Sequence, residues 1–246
     1  MKITKFKKTS MSKYKVYFDN NTSILLHEDI ILKYNLICNK VVSDNDLNEI
    51  LKENNNYLVY DIALKYISTK MRCEKEIKEH LIKKNIDEDI INKTINRLKK
   101  DGYLDEISYI RAFIYDKVNI SKIGPKKIKR ELVDLKLPEN IIDDELSNID
   151  DEIFKVELEK QIQKRIAMSK NYSGNVLKQK IISYFMDKGY DKNMITSILD
   201  TKELYDEEAL KKEYNKLYNK YSKKYSGKEL EMIIKQKLYQ KGFYQN

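Results

Sequence analysis

The sequence predicts a mainly α protein: tandem three-helix repeats in an elongated, curved array, preceded by a small N-terminal β-hairpin region. Three observations carry this. Only 6 glycines and 2 prolines interrupt 246 residues that are 41% apolar and 35% charged, a composition suited to helices around a substantial core. Polar–apolar alternation is confined to a short stretch near the start. An apolar ladder recurs with starts at residues 77, 128, 181 and 234, at intervals of 51, 53 and 53.

Lys13 to Phe18 alternate, Asn20-Asn21 suits the positive φ of a tight turn, and Ser23 to Leu26 continue as extended chain. Ile3 to Lys7 form a candidate third strand, and a short helix is expected near Asp29 to Ile37. Ser43-x-x-Asp46 reads as a helix start ahead of Leu47, Ile50 and Leu51. Residues 1–56 are assigned to this N-terminal part, which must pack on a neighbour because so small a hairpin is marginal alone.

The first copy of the ladder is Ile77, Leu81, Ile86, Ile90 and Ile91; the second is Ile128, Leu132, Leu137, Ile141 and Ile142. The third is Ile181, Phe185, Tyr190, Met194 and Ile195, and the fourth begins Ile234, Leu238, Phe243. Ile77 to Leu81 is one helical turn, the step to Ile86 crosses a break, and Ile86 to Ile90 resumes helical spacing. Each copy is therefore two helices joined by a tight turn. Gly189 and Gly242 occupy the turn as a left-handed cap prefers; Asn85 is acceptable there, and Lys136 is a poor fit. Pro138 suits the first position of the following helix.

A further helical stretch leads each pair: Tyr60 to Ser68, Tyr109 to Asp116, Glu152 to Met168 and Glu203 to Tyr225. The predicted repeats are 57–106, 107–151, 152–202 and 203–246, the last lacking its third helix and expected to fray or meet a partner at its end.

The formal charge of +9 permits an anionic partner, although 39 carboxylates accompany 48 basic residues. Cys38 and Cys73 exclude a disulfide framework or a four-cysteine zinc site. No apolar run approaches the roughly 20 residues of a membrane span, and Met1 to Lys5 lack the apolar stretch of a secretory signal. A cytoplasmic monomer is expected.

Groups that could carry chemistry are few. His27 and His80 are the only histidines, and Glu76 with His80 is a lone i, i+4 pair, weak support for a metal. Asp143-Asp144 and Asp150-Asp151 are adjacent pairs whose side chains diverge by about 100° on a helix, so they do not readily form one site. Neither a phosphate-binding lysine loop nor a dinucleotide glycine pattern is present. No catalytic residue, cofactor or metal is expected.

Binding features are richer. Lys122, Lys126, Lys127, Lys129 and Arg130 cluster where a helix begins, with Gly124 allowing an unusual backbone angle and Pro125 suited to the first helical position. Exposed amides at that N-terminus, together with the lysines, would attract phosphate or carboxylate. Eight acidic residues follow from Glu131 to Asp151, with only Lys136 as a base. Such a strip repels DNA, so a protein partner fits better; a charge complement serving solubility alone is the alternative. Tyr214, Tyr218, Tyr221 and Tyr225, interleaved with lysines, read as a half-buried core stripe, with base stacking as the alternative.

Lys100-Asp101-Gly102-Tyr103-Leu104-Asp105-Glu106 resembles the "GYLDD" segment of the RecX family, and Lys122-Ile123-Gly124-Pro125 through Glu131-Leu132 is similar to its "KGPxxIxxEL" segment. Arg72-Cys73-Glu74-Lys75-Glu76-Ile77 resembles "RSxxEL", with Cys73 where a capping serine is usual. Lys188-Gly189-Tyr190 and Lys241-Gly242-Phe243 match the later repeats, and the layout resembles the longer Gram-positive members. The departures are Cys73, Lys136 and the missing last helix.

The resemblance implies a regulator that lies along the RecA filament on single-stranded DNA and dampens ATP hydrolysis, filament growth and strand exchange; some members promote recombination instead. Arg72 and Lys75, with Lys122, Lys126, Lys127, Lys129 and Arg130, are the expected filament contacts. Single- or double-stranded DNA stays open as a further partner. The alternative function is a direct DNA- or RNA-binding helical repeat protein without a recombinase.

Overall fold

The computed structural model describes residues 1–243. It divides into two compact units, Met1–Tyr109 and the chain from Ile110 onward. The first unit opens with β1 (Ile3–Lys8), β2 (Lys13–Phe18) and β3 (Ser23–His27), an antiparallel sheet in the order β1-β2-β3. Val16 pairs with Phe6 on one side and Ile24 on the other. Asn21 turns the second hairpin at φ 63°, as its side chain permits. The candidate third strand is thus real, and one residue longer than the alternation suggested.

Helix α1 (Glu28–Lys33) is shorter than expected, because Asn35 turns left-handed and ends it. Helix α2 (Asp44–Ile67) begins at Ser43, whose hydroxyl accepts the Asp46 amide. It then runs through residues 56 and 57, so the boundary expected there falls inside a helix. Its first half packs Ile50 into a core with Ile3, Val16, Phe18, Leu26 and Ile30. Its second half packs Val59, Tyr60 and Ala63 into another, with Ile77, Leu81, Ile91, Ile95 and Leu98. Asn54, buried between them, takes the His27 amide at 2.8 Å and donates to the Leu25 carbonyl at 3.0 Å. A polar side chain thereby fastens the helix to the sheet.

The second core is built by α3 (Glu74–Ile82) and α4 (Glu88–Lys100), joined through left-handed Asn85. After α4, Gly102 turns at φ 77° and the Tyr103 amide returns to the Leu98 carbonyl at 2.9 Å. Leu104 then packs on the core, and Asp105 accepts the Ile107 amide at 3.0 Å to start α5 (Glu106–Asp116). That is the physical content of the Gly102–Asp105 motif: cap, anchor, next cap.

Beyond α5, a π-helical turn (Lys117–Ser121) precedes α6 (Pro125–Asp134) and α7 (Glu139–Ser147). Then come α8 (Asp151–Met168), α9 (Gly174–Asp187), α10 (Lys192–Leu199), α11 (Glu207–Tyr221) and α12 (Gly227–Gln240). The ladder residues Ile128, Leu132, Ile142, Ile181, Phe185, Ile195, Ile234 and Leu238 are all buried. Lys136 adopts φ 64° despite its side chain. The cost of about 1–2 kcal/mol is offset because the turn seats buried Leu137, whose amide reaches the Leu132 carbonyl. Pro138 sits one place before α7, not at its first position.

The tyrosine stripe differs from expectation. Ala209, Glu213 and Leu217 form the buried face of α11, whereas Tyr214 and Tyr218 are exposed and stack on each other at 6.3 Å. Tyr221 and Tyr225 alone pack on the core. The expected fraying at the C-terminal end concerns residues outside those described.

The helices of the second unit are tied together by backbone. The Gly124 amide donates to the Lys188 carbonyl at 2.8 Å, and the Lys126 amide to the Gly189 carbonyl at 3.1 Å. A Cβ on Gly124 would lie 2.4 Å from the Gly189 carbonyl carbon, and one on Gly189 would lie 2.4 Å from the Lys127 Cβ. The geometry recurs one repeat later. The Ser173 amide donates to the Lys241 carbonyl at 2.9 Å, and a Cβ on Gly242 would lie 2.1 Å from the Ser173 carbonyl oxygen.

Gly189→Ala should therefore cost about 3 kcal/mol or more, combining a φ of 90° with backbone overlap. Gly102→Ala, at φ 77° with nothing within 4 Å, should cost only the backbone strain of about 1–2 kcal/mol. Urea unfolding of both variants checks the difference.

Candidate functional site

The seven expected contact residues are split between the units: Arg72 and Lys75 lie in the first, the other five in the second. Arg72 is not a free surface cation. Its guanidinium lies 4.1 Å from the Tyr66 ring centre and pairs with Glu76 at 3.0 Å. Its Nε is buried without a hydrogen-bond partner among the described residues. Tyr66 also stacks on His80 at 3.9 Å, and burial pushes that imidazole below its usual pKa. Glu76 and His80 thus belong to a packed cluster.

Glu76 holds that cluster together. Its carboxylate accepts the Cys73 amide at 3.1 Å, completing the turn that begins α3, and the Tyr109 hydroxyl at 3.3 Å. Burial pushes its pKa up, but the Cys73 amide, Arg72 and Lys70 outweigh it and leave the carboxyl below its ordinary 4.5. Its stabilising share is present at neutral pH and is lost as pH falls below that value. Cys73, where a capping serine is usual, is buried, and burial pushes its thiol up, away from reactivity. Lys75 pairs with Glu79 across 3.8 Å on the surface of α3.

The cluster at α6 is assembled differently from expectation. Gly124 has an ordinary extended backbone, φ −78°, and the left-handed residue is Lys122 at φ 53°. Gly124 is needed because it has no side chain, not for its angle. The amides expected to attract an anion are occupied, since those of Gly124 and Lys126 donate to the Lys188 and Gly189 carbonyls. The helix N-terminus is closed by the chain itself.

The lysines are engaged as well. Lys122 pairs with Glu157 at 3.1 Å and Lys129 with Asp143 at 2.6 Å. Lys126 pairs with Asp191 and holds that carboxyl below its usual range. The acidic strip is spent in the same way: Glu131 meets Lys117 at 2.6 Å, Glu145 takes a two-pronged hold from Arg111, and Asp150 caps α8. One pair, Lys129–Asp143, joins the basic helix to the acidic one, and the other partners come from neighbouring elements. Among the described residues Lys127 and Arg130 pair with no carboxylate, and Arg130 is exposed.

A second cationic surface went unread in the sequence. A groove between α8 and α9 is lined by Lys160, Lys164, Arg165, Lys180 and Lys188, with Tyr172 and Tyr184 among them. Its residues are scattered over two helices and stand out only once those helices are adjacent. Buried Tyr190 braces two of the lining residues: its hydroxyl accepts from the Gln161 side-chain amide at 3.3 Å and donates to the Lys122 carbonyl at 3.2 Å, and burial pushes its pKa to about 12. No group of three or more His, Cys, Asp or Glu side chains among the described residues is placed to hold a metal. No helix among them is long and apolar enough to cross a membrane.

A family model described as "RecX, first three-helix domain" matches residues 60–98, the span of the second core. The "Regulatory protein RecX" of Oceanobacillus iheyensis is 31% identical over 221 residues, covering 88% of this chain and 81% of that protein. The chain belongs to the RecX family. The RecX of Lactococcus lactis subsp. lactis is 32% identical over 236 residues, covering 92% and 87% of the two chains. The crystal structure of RecX from Lactobacillus salivarius is 26% identical, with a TM-score of 0.55 over 60% of this chain and 96% of that one. A further RecX crystal structure, at 21% identity and TM-score 0.69 over 81% of this chain, shares the fold. These RecX relatives are named regulatory proteins, and the chain is a RecX-type regulator with a helical repeat fold.

The placement of the two arginines gives opposite expectations. Arg72→Ala removes the guanidinium that pairs with Glu76 and covers Tyr66, and should cost about 1–3 kcal/mol. Arg130→Ala should stay within about 0.5 kcal/mol. Thermal unfolding of the two variants side by side checks the contrast.

Proposed function

We propose that this chain acts by binding, without chemistry of its own, on the filament that a RecA recombinase forms on single-stranded DNA. It lowers ATP hydrolysis, filament extension and strand exchange during recombination and DNA repair. The supporting observation is its kinship with regulatory RecX proteins over nearly its whole length, joined to a helical repeat body. A repeated body suits a polymeric partner, because each unit can make a weak contact and linkage converts several into useful avidity. The proposed working units are the repeats at 57–106, 107–151, 152–202 and 203–246, with α2 tying the first to residues 1–56. The proposed acting species is a cytoplasmic monomer.

The charge pairing refines which residues would meet the filament. Among the described residues Lys127 and Arg130 pair with no carboxylate, so contact through them costs least. Lys122, Lys126 and Lys129 would exchange an internal carboxylate for one on the partner, which adds specificity more than affinity. Lys75 is proposed as a surface contact on α3, and Arg72 as the residue that keeps α3 in place.

The decisive assay is RecA ATP hydrolysis on single-stranded DNA with substoichiometric added protein. Hydrolysis should fall, and Lys127→Glu/Arg130→Glu should abolish the effect while helicity is retained. Hydrolysis that stays unchanged at equimolar protein would sink the proposal.

A further inference from the structure

The groove between α8 and α9 has a volume of about 970 Å³. Its walls carry Lys122, Lys160, Lys164, Arg165, Lys180 and Lys188 against two carboxylates, Glu157 and Asp187. Glu157 is occupied by Lys122 at 3.1 Å, and the Lys188 ammonium is held by Gln161 Oε1 at 2.8 Å. Among the described residues no carboxylate pairs with Lys160, Lys164, Arg165 or Lys180. On α6, by contrast, two of the four cations, Lys126 and Lys129, are each paired.

Two of these cations are fixed on aromatic faces. The Arg165 guanidinium lies 3.6 Å from the Tyr184 ring centre, and the Lys180 ammonium 4.3 Å from that of Tyr172. Leu177, Ile181 and Phe185 supply an apolar floor. Unpaired cations crowded on a low-dielectric surface repel one another and focus a positive potential into the recess. A ligand that relieves it must bring anionic oxygens in series, because Lys160 and Lys164 follow each other one turn apart, about 6 Å along α8. Aromatic rings and a guanidinium plane at the walls are surfaces on which unpaired bases stack.

We propose that the α8–α9 groove binds single-stranded polynucleotide through its phosphodiester backbone, without a recombinase. This goes beyond the filament reading and stands or falls independently of it. Lys122, at the edge of both the groove and the α6 cluster, would link strand contact to filament contact.

The test uses the full chain alone, with anisotropy of a fluorescein-labelled oligo(dT) of about 16 nucleotides, across a salt series. The Lys160→Glu/Lys164→Glu variant should bind at least about 10-fold more weakly, and its log–log salt slope should be shallower by about 1.4, two phosphate contacts. Lys83→Glu/Lys84→Glu, an equal charge change on exposed residues after α3, should bind as the parent does. Circular dichroism of both variants confirms the fold. Equal losses in the two variants, no loss in the groove variant, or a duplex bound as tightly as the single strand would each overturn the proposal. So would a groove variant that keeps its oligonucleotide affinity but no longer inhibits RecA, since that assigns the groove to an acidic protein surface. Failure of the RecA assay alone leaves these outcomes unchanged.

Discussion

The second unit depends on one close approach of bare backbone. Gly124 and Gly189 meet where neither tolerates a Cβ, and two amides at the start of α6 donate to the carbonyls that end α9. A glycine at the α9–α10 turn thus serves twice. It supplies the left-handed angle that reverses the chain, and it leaves room for the preceding repeat to dock on that reversal. Ser173 on Gly242 repeats the arrangement. Successive repeats are therefore joined through main-chain hydrogen bonds that any sequence could make, policed by positions where only glycine fits. The aromatic residue that follows each turn, Tyr190 or Phe243, is buried and secures the junction.

This junction also decides what the charges can do. Closing the start of α6 with carbonyls removes the anion site that its amides would otherwise form, and draws Lys126 to Asp191 and Lys122 to Glu157. The high content of both charges then reads as internal complementarity across helix pairs more than as a coat awaiting a partner. Most of these pairs are exposed, so each contributes little stability and is cheaply exchanged for an external one. What distinguishes the α8–α9 groove is that four of its cations, Lys160, Lys164, Arg165 and Lys180, crowd one recess with no such partner among the described residues.

The fold was largely legible. The ladder period, the Ser43 cap, the Asn21 turn and the glycines at 189 and 242 each follow from local rules, and the helices occur where those rules place them. The misreadings share a cause. Gly124 was marked as special for its φ, but its requirement comes from a segment 65 residues away, the same separation that hides the Lys126–Asp191 pair. The polar run Asn54-Asn55-Asn56 masked the continuity of α2, because Asn54 earns its buried place through contacts to β3. On α11 two helical stripes compete, and Ala209, Glu213 and Leu217 win since Lys241 neutralises Glu213 from α12's end. The groove was illegible because no single helix contains it.

The most direct measurement is amide hydrogen exchange along the whole chain, free and with a RecA filament on single-stranded DNA. The account predicts slow exchange at Gly124 and Lys126 already in the free chain, and added protection on α6, α8 and α9 with the filament. Rapid exchange at those two amides in the free chain, or no filament-dependent change in the three helices, would contradict it.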